Sequence, residues 1–449
     1  MTPADAISAA RNAFPAWAAK STAEREQVIR RFAEVIRAHR VKLVQTICEE
    51  TGKPRWEANT EVDSIIAKSA ISIEAHASRR KPIESSAGGL VTAIRYKPLG
   101  VIIVLGPFNF PGHLPNGHIS PALLAGNAIV FKPSELTPRT GEWLARCWDE
   151  AGLPVGVLNL VQGGRETGAE LVGHPGIDAV FFTGSYAAGR AICRGLADRP
   201  EVITALEMGG NNPLIVHNVA DTAGAAYWTS QSAFISAGQR CSCARRLIIP
   251  DGNDAFLERL IQMMAGIRIG HFDDDPQPFA GPVITDHAAQ HLLAAQKHLI
   301  DAGAKPLVEM KPVEAHPPRF LRPGLLDVTT VATRPDEELF GPLLQLIRVP
   351  NFEMAIKEAN DTKYGLAAGL FSDDRHLYDR FFASIRAGIV NLNRPLTGAS
   401  SRLPFGGIGQ SGNGRPSAFF AADYCAYPIG SLENERLTMP PNLTPGILP

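Results

Sequence analysis

Between Val101 and Val216 the chain repeats one pattern, a short β-rich run followed by a helical stretch. The runs are Val101 to Leu105, Ala128 to Phe131, Val157 to Val161 and Ala179 to Phe182, and Thr140 to Glu150 is one of the helices between them. Strands joined through helices return in the same direction, so the pattern predicts a parallel, doubly wound sheet with helices on both faces. Ligands of such sheets lie beyond the carboxyl ends of the strands. A second series runs from Leu214 through Arg246 to Pro250, Phe279 to Val283, Leu343 to Val349 and Leu366 to Phe371, and predicts a second α/β domain.

Ahead of this, apolar residues from Thr2 to about Ser78 recur at helical spacing, as in Val28, Phe32, Val35 and Ile36, then Leu43, Val44 and Ile47. Thr22, with Glu24 and Glu26 behind it, reads as an N-cap followed by first-turn acids. From Arg79 to Gly89 the chain turns basic and rich in Pro, Ser and Gly, and Leu90 to Tyr96 alternates as an exposed strand does. No internal repeat stands out, and Thr438 to Pro449 reads as a Pro-rich tail.

At roughly 150 residues per domain, the 449 residues correspond to about three domains. Lys and Arg number 44 against 45 Asp and Glu, so bulk charge gives no reason to expect a nucleic-acid partner. A membrane span needs about 18 apolar residues in a row; Val101 to Leu105 stops at Gly106-Pro107, and no span is expected. Met1 to Lys20 reads as an Ala-rich amphipathic helix rather than a secretory signal. Cys48, Cys147, Cys193, Cys241, Cys243 and Cys425 are too scattered for a disulfide framework. These features predict a reduced, cytoplasmic protein.

Several segments carry chemistry. Phe182-Thr183-Gly184-Ser185-Tyr186-Ala187-Ala188-Gly189 leads from a strand into the helical stretch Arg190 to Leu196. Its glycines let the backbone approach an anion at a helix N-terminus, or simply make a turn. Cys241 follows Gly238-Gln239-Arg240, with Arg245 and Arg246 downstream. Nearby positive charge would lower its pKa and favour the nucleophilic thiolate, whereas an inert buried cysteine is the ordinary alternative. Cys241 and Cys243 have no matching Cys or His pair nearby, so no metal is expected.

Glu207, at the end of the run Val202 to Leu206, could activate water from a strand end or serve as a solvated cap. Asn109, within Gly106-Pro107-Phe108-Asn109-Phe110-Pro111, either turns a loop or donates its amide to an oxyanion. Lys132-Pro133-Ser134-Glu135 places charges at the sheet's carboxyl edge, and Glu337-Glu338-Leu339-Phe340-Gly341-Pro342 sets an acid and an aromatic on a tight turn. Each of these also reads as ordinary loop residues.

In this order, the segments resemble the aldehyde dehydrogenase superfamily across nearly the whole chain. The likeness rests on Pro107 to Pro111, Phe182 to Gly189, Glu207-Met208-Gly209-Gly210 and Gly238-Gln239-Arg240-Cys241, with Cys241 34 residues after Glu207. Finer matches lie in Gly112-His113-Leu114-Pro115-Asn116-Gly117-His118, Gly209 to Pro213, Cys243 to Arg246, Asn393 to Gly398, Pro404 to Gly409 and Asn413 to Ser417.

The resemblance implies two doubly wound α/β domains and a β-strand oligomerisation arm. Residues 1–80 and 101–206 would form an NAD-binding domain, 207–415 a catalytic domain, and 81–100 with 416–449 the arm and C-terminal tail. Cys241 would be the nucleophile, Glu207 the base and Asn109 the oxyanion donor. Gly184, Ser185, Tyr186, Ala187, Ala188 and Gly189 would face the NAD pyrophosphate, Lys132 and Glu135 the adenosine ribose, and Glu338 and Phe340 the nicotinamide ribose. An acid at the ribose favours NAD over NADP.

The finer matches imply a dicarboxylate semialdehyde as substrate. N-succinylglutamate 5-semialdehyde of arginine breakdown stands first, with succinate or glutamate semialdehyde, or a catalytically silent relative, as alternatives. Carboxylates call for guanidinium partners; Arg240 and Arg394 lead the candidates, followed by Arg245, Arg402 and Arg415. The resemblance further implies a homodimer or a dimer of dimers. It also implies a few dozen residues of strand ahead of the helix that begins near Thr2, so that either an edge of the nucleotide domain is missing or the start lies upstream.

Overall fold

The computed structural model describes residues 1–87, 90–414, 416–440 and 442–447. Helices Pro3–Ala18, Thr22–Ala38, Arg40–Thr51 and Arg55–Arg79 lead the chain. The cap of the second is Ser21, not Thr22: the Ser21 hydroxyl accepts from the Glu24 N–H while the Glu24 carboxylate accepts from the Ser21 N–H. This reciprocal box satisfies two amides that Thr22, one residue further in, cannot reach.

A five-stranded parallel sheet follows, in the order Leu158–Leu160, Ala128–Lys132, Val101–Leu105, Ala179–Gly184, Ile203–Met208. Its strands are buried on both faces, and successive side chains separate accordingly. Ile102 and Val104 join Phe32, Ile119, Leu123 and Trp148 in one core, while Val101 and Ile103 join Ile7, Leu171 and Ile192 in the other. The stacked rings of Phe32 and Trp148, 3.7 Å between centroids, tie the leading helices to Pro138–Glu150.

A seven-stranded sheet has the order Lys305–Val308, Gly324–Asp327, Leu343–Val349, Ala244–Pro250, Asn212–Val216, Ala367–Phe371, Ile389–Leu392. Only the first of these runs antiparallel to its neighbour. Phe279 to Val283 is not one of its strands. That segment lies in a loop, where a Cβ on Gly281 would stand 1.9 Å from the Gly52 carbonyl oxygen, so the backbone is packed against another loop instead of a ladder.

The segments read as an arm pair in a three-stranded antiparallel sheet, Ile83–Ala87 with Leu90–Pro98 and Leu90–Pro98 with Ala426–Asn434. The C-terminal strand starts at Ala426, after the 3-10 turn Phe419–Asp423. Among the described residues no helix is long and apolar enough to cross a membrane.

Candidate active site

Ile203–Met208, an outer strand of the five-stranded sheet, continues into Asn212–Val216, an interior strand of the seven-stranded one, with only Gly209-Gly210-Asn211 between them. The carboxyl edge of the five-stranded sheet therefore faces the amino edge of the seven-stranded one. From the first come Glu207 and the Asn109 loop; at the second stands Cys241, just before Ala244–Pro250.

Glu207 is 1% exposed, and among the described residues neither carboxylate oxygen has a hydrogen-bond partner. Burial, reinforced by the negative charge of Glu338, pushes its pKa up to about 8, with the nearby Cys241 thiol pulling weakly the other way. Glu338 is itself raised to about 7 by burial, which Arg245 at 3.9 Å and the Gly210 N–H at 3.3 Å only partly offset. A Cβ on Gly209 would stand 1.7 Å from a Glu338 oxygen, so any side chain there would push that carboxylate out of its place.

Cys241 is partly exposed, whereas Cys243 is fully buried with its thiol directed to the Ile235 carbonyl. The expected activation by Arg245 and Arg246 is not realised. Burial and the charges of Glu207 and Glu338 hold the Cys241 thiol well above its ordinary pKa. Arg245 instead donates to the carbonyls of Gly341 and Arg240, and Arg246 to those of Asn211, Glu358 and Ala359. Nearness in sequence does not bring these guanidinium groups to the sulfur.

The turn bearing the thiol is shaped by strain and by one amide that the sequence analysis did not single out. Ser236, Ala237 and Gly238 all have φ between 52° and 73°, a left-handed succession that two of them adopt at a cost. The Asn212 side chain spans the turn, donating to the carbonyls of Cys241 at 2.7 Å and Cys243 at 2.9 Å, and accepts from the Ala367 N–H. Its only signal in the sequence is its place in Gly209 to Pro213.

Asn109, 8% exposed, donates its side-chain amide to the Gln239 carbonyl at 3.0 Å, which sets it beside the thiol turn. Its own carbonyl accepts from Lys53 at 2.6 Å, and Lys53 is paired with buried Glu61 at 2.8 Å. Glu61 also accepts from the N–H groups of Gly112 and His113. Helix Arg55–Arg79 thus braces both loops, for Glu57 on the same face binds Ser236 and Arg240.

The candidate substrate arginines are mostly engaged elsewhere. Two nitrogens of Arg240 are taken by Ser236 and buried Glu57, which corrects the picture of a free fork beside the nucleophile. Arg402 pairs with Glu74, and Arg245 is enclosed as described. Arg394 is exposed over the Trp228 ring, 5.9 Å from its centroid. Arg415 lies outside the described residues.

The dinucleotide segments converge on the same sheet edge. Ser185 caps helix Tyr186–Gly195, accepting from the Ala188 N–H, and Ser185, Ala187 and Ala188 are exposed. Gly189 is packed so closely that a Cβ would stand 2.3 Å from the Met208 sulfur. Lys132 Nζ lies 3.7 Å from the exposed Glu135 carboxylate and donates to the carbonyls of Pro133 and Gly163. Phe340 meets Phe108 edge to face at 6.0 Å. An open helix N-terminus, an acid beside a lysine and a closely packed glycine turn suit a dinucleotide.

Comparison with known proteins agrees with this geometry. The model of the aldehyde dehydrogenase family matches residues 3–426. N-succinylglutamate 5-semialdehyde dehydrogenase of Ectopseudomonas mendocina is 56% identical over 445 residues, 99% of this chain and 91% of that protein. The enzyme of that name from Chromobacterium violaceum is 55% identical over the same shares. Among solved structures, methylmalonate-semialdehyde dehydrogenase from Oceanimonas doudoroffii superposes with a TM-score of 0.92 at 28% identity, covering 97% of this chain and 91% of that one.

Proposed function

Since the chain belongs to the aldehyde dehydrogenase family, we propose that it oxidises N-succinylglutamate 5-semialdehyde to N-succinylglutamate with NAD, as a step in arginine breakdown. The observation that carries this reading is the approach of a partly exposed thiol, an unbonded buried carboxylate and an asparagine amide from the facing edges of two sheets.

Cys241 gives up its proton to solvent, and the thiolate attacks the aldehyde carbon, forming a carbon–sulfur bond and placing the carbonyl electron pair on oxygen. The Asn109 amide and the Cys241 backbone N–H receive that oxyanion. NAD, when bound, accepts the hydride released as the carbonyl re-forms. What remains on Cys241 is a thioester. Glu207 takes a proton from water, the hydroxide attacks the thioester carbon, and the sulfur departs with the electron pair of the broken bond.

Gly184 to Gly189 hold the dinucleotide pyrophosphate, Lys132 and Glu135 its adenosine ribose, and Glu338 with Phe340 its second ribose. The Glu135 carboxylate favours NAD because it repels a 2′-phosphate. Ile83–Ala87 and Ala426–Asn434, the outer strands of the arm sheet, support a homodimer or dimer of dimers by offering a strand edge to a second copy, in a cytoplasmic enzyme.

The test is substrate preference. The purified enzyme is expected to show a higher kcat/KM for N-succinylglutamate 5-semialdehyde than for succinate or glutamate semialdehyde, read as NADH absorbance. A preference for an unacylated aldehyde would overturn the substrate assignment.

A further inference from the structure

Helix Arg55–Arg79 carries three charged residues on one buried face, Glu57, Glu61 and Lys68, spaced four and then seven residues apart. The two acids match two cations: Glu57 binds Arg240, and Glu61 binds Lys53. Among the described residues Lys68 has no such counterpart. It is 2% exposed, and within that set its ammonium donates only to the Ser401 hydroxyl at 3.2 Å. An ammonium has three donors, so Lys68 keeps capacity in a place where charge is normally paired. Burial lowers it to about 8, which leaves it mainly charged at neutral pH.

Among the described residues no carboxylate pairs with this ammonium. A Cβ on Gly117 would lie 3.8 Å from Lys68 Nζ and 3.6 Å from the Ser417 hydroxyl, so a glycine and a second hydroxyl form the adjoining wall. The Nδ1 of His113 has no partner, and burial together with the charges of Lys68, Lys53 and Arg240 holds that imidazole neutral. The His113 imidazole thus feels the charges of both Lys68 and Arg240. Ser401 is partly exposed, and its neighbour Arg402 ties the same loop to Glu74 further along the helix. The cation therefore lies beneath a loop that reaches solvent, on the helix that braces the thiol turn.

We propose that the Lys68 ammonium, with the Ser401 hydroxyl bonded to it, receives a carboxylate of the substrate while the aldehyde end lies at Cys241. The substrate supplies the anion that the fold withholds, and an aldehyde without a carboxylate gains nothing from it. This assignment rests on the dicarboxylate semialdehyde reading above and identifies a binding residue for it in place of the engaged Arg240.

The experiment compares wild type, Lys68→Met, Lys68→Arg and Ser401→Ala on N-succinylglutamate 5-semialdehyde, succinate semialdehyde and uncharged hexanal. Lys68→Met is expected to raise KM for the carboxylated substrate by about thirtyfold, the loss expected when a charge-assisted hydrogen bond is removed. Its kcat/KM for hexanal stays at the wild-type level. Lys68→Arg restores part of the affinity, and Ser401→Ala, the milder change, raises the same KM by about threefold to tenfold. Equal losses on hexanal and on the dicarboxylate, or no change on either, would overturn the proposal. The substrate reading is judged separately, by the preference of the wild type: if that preference is absent but Lys68→Met still loses only carboxylated aldehydes, the lysine assignment stands and the substrate assignment fails.

Discussion

The side-chain amide of Asn212 donates to the carbonyl of Cys241 at 2.7 Å, fixing the thiol-bearing turn from the first residue of a neighbouring strand. Asn212→Ala leaves that carbonyl, the Cys243 carbonyl and the Ala367 N–H without their partner. The expected cost is on the order of 2–3 kcal/mol in stability and about a hundredfold in kcat through misplacement of the sulfur. Denaturant unfolding measures the first and NADH production the second. A structural role alone would leave KM, kcat and Cys241 alkylation as in wild type once the variant is folded, so unchanged alkylation kinetics would count against positioning.

Cys241→Ala is expected to abolish oxidation, and Cys243→Ala to retain it, because Cys243 is fully buried. In the absence of substrate and NAD, iodoacetamide at pH 7 should label exposed Cys193 faster than Cys241, whose thiol is held protonated by burial and by two carboxylates. Peptide mapping by mass spectrometry decides this; faster labelling of Cys241 would mean that a positive charge reaches it after all.

Glu207→Gln should give a burst of NADH and then stall at the thioester, since only hydrolysis needs the base. In wild type, the hydrolytic step should quicken as pH rises through about 8, where Glu207 loses its proton. Single-turnover absorbance separates the two phases; loss of the burst would assign Glu207 an earlier task on the thiol.

The same pKa has a consequence for stability. Its folded value, about 8, lies above the ordinary 4.5, so across that window the folded state binds more protons than the unfolded one and wild-type stability falls with rising pH. Glutamine does not titrate. The melting-temperature advantage of Glu207→Gln should therefore be smallest near pH 5, grow with pH and level off above about 8. A constant difference across that range would contradict the burial of a titrating carboxylate.

The alternating runs between Val101 and Val216 made the first sheet legible, because strands buried on both faces must be continuous apolar runs separated by helices. Cys241, Glu207 and Asn109 were legible as motifs, and the structure sets Glu207 near the thiol and bonds Asn109 to the turn that bears it. Their electrostatics were not. Arg245 and Arg246 adjoin Cys241 in the chain but point into carbonyl cages, whereas Glu338, remote in sequence, raises the thiol's pKa. Lys68 carried no signal either, since a lysine within an amphipathic helix reads as solvated until the partners around it are known. Phe279 to Val283 reads as a strand because its apolar run says nothing of the loop packed against Gly281.

The crossing from Met208 to Asn212 is three residues long, with Glu207 just before one end and the clamp of the thiol turn at the other. One short stretch of backbone thereby sets the spacing of carboxylate and sulfur, and a lengthened crossing would part them.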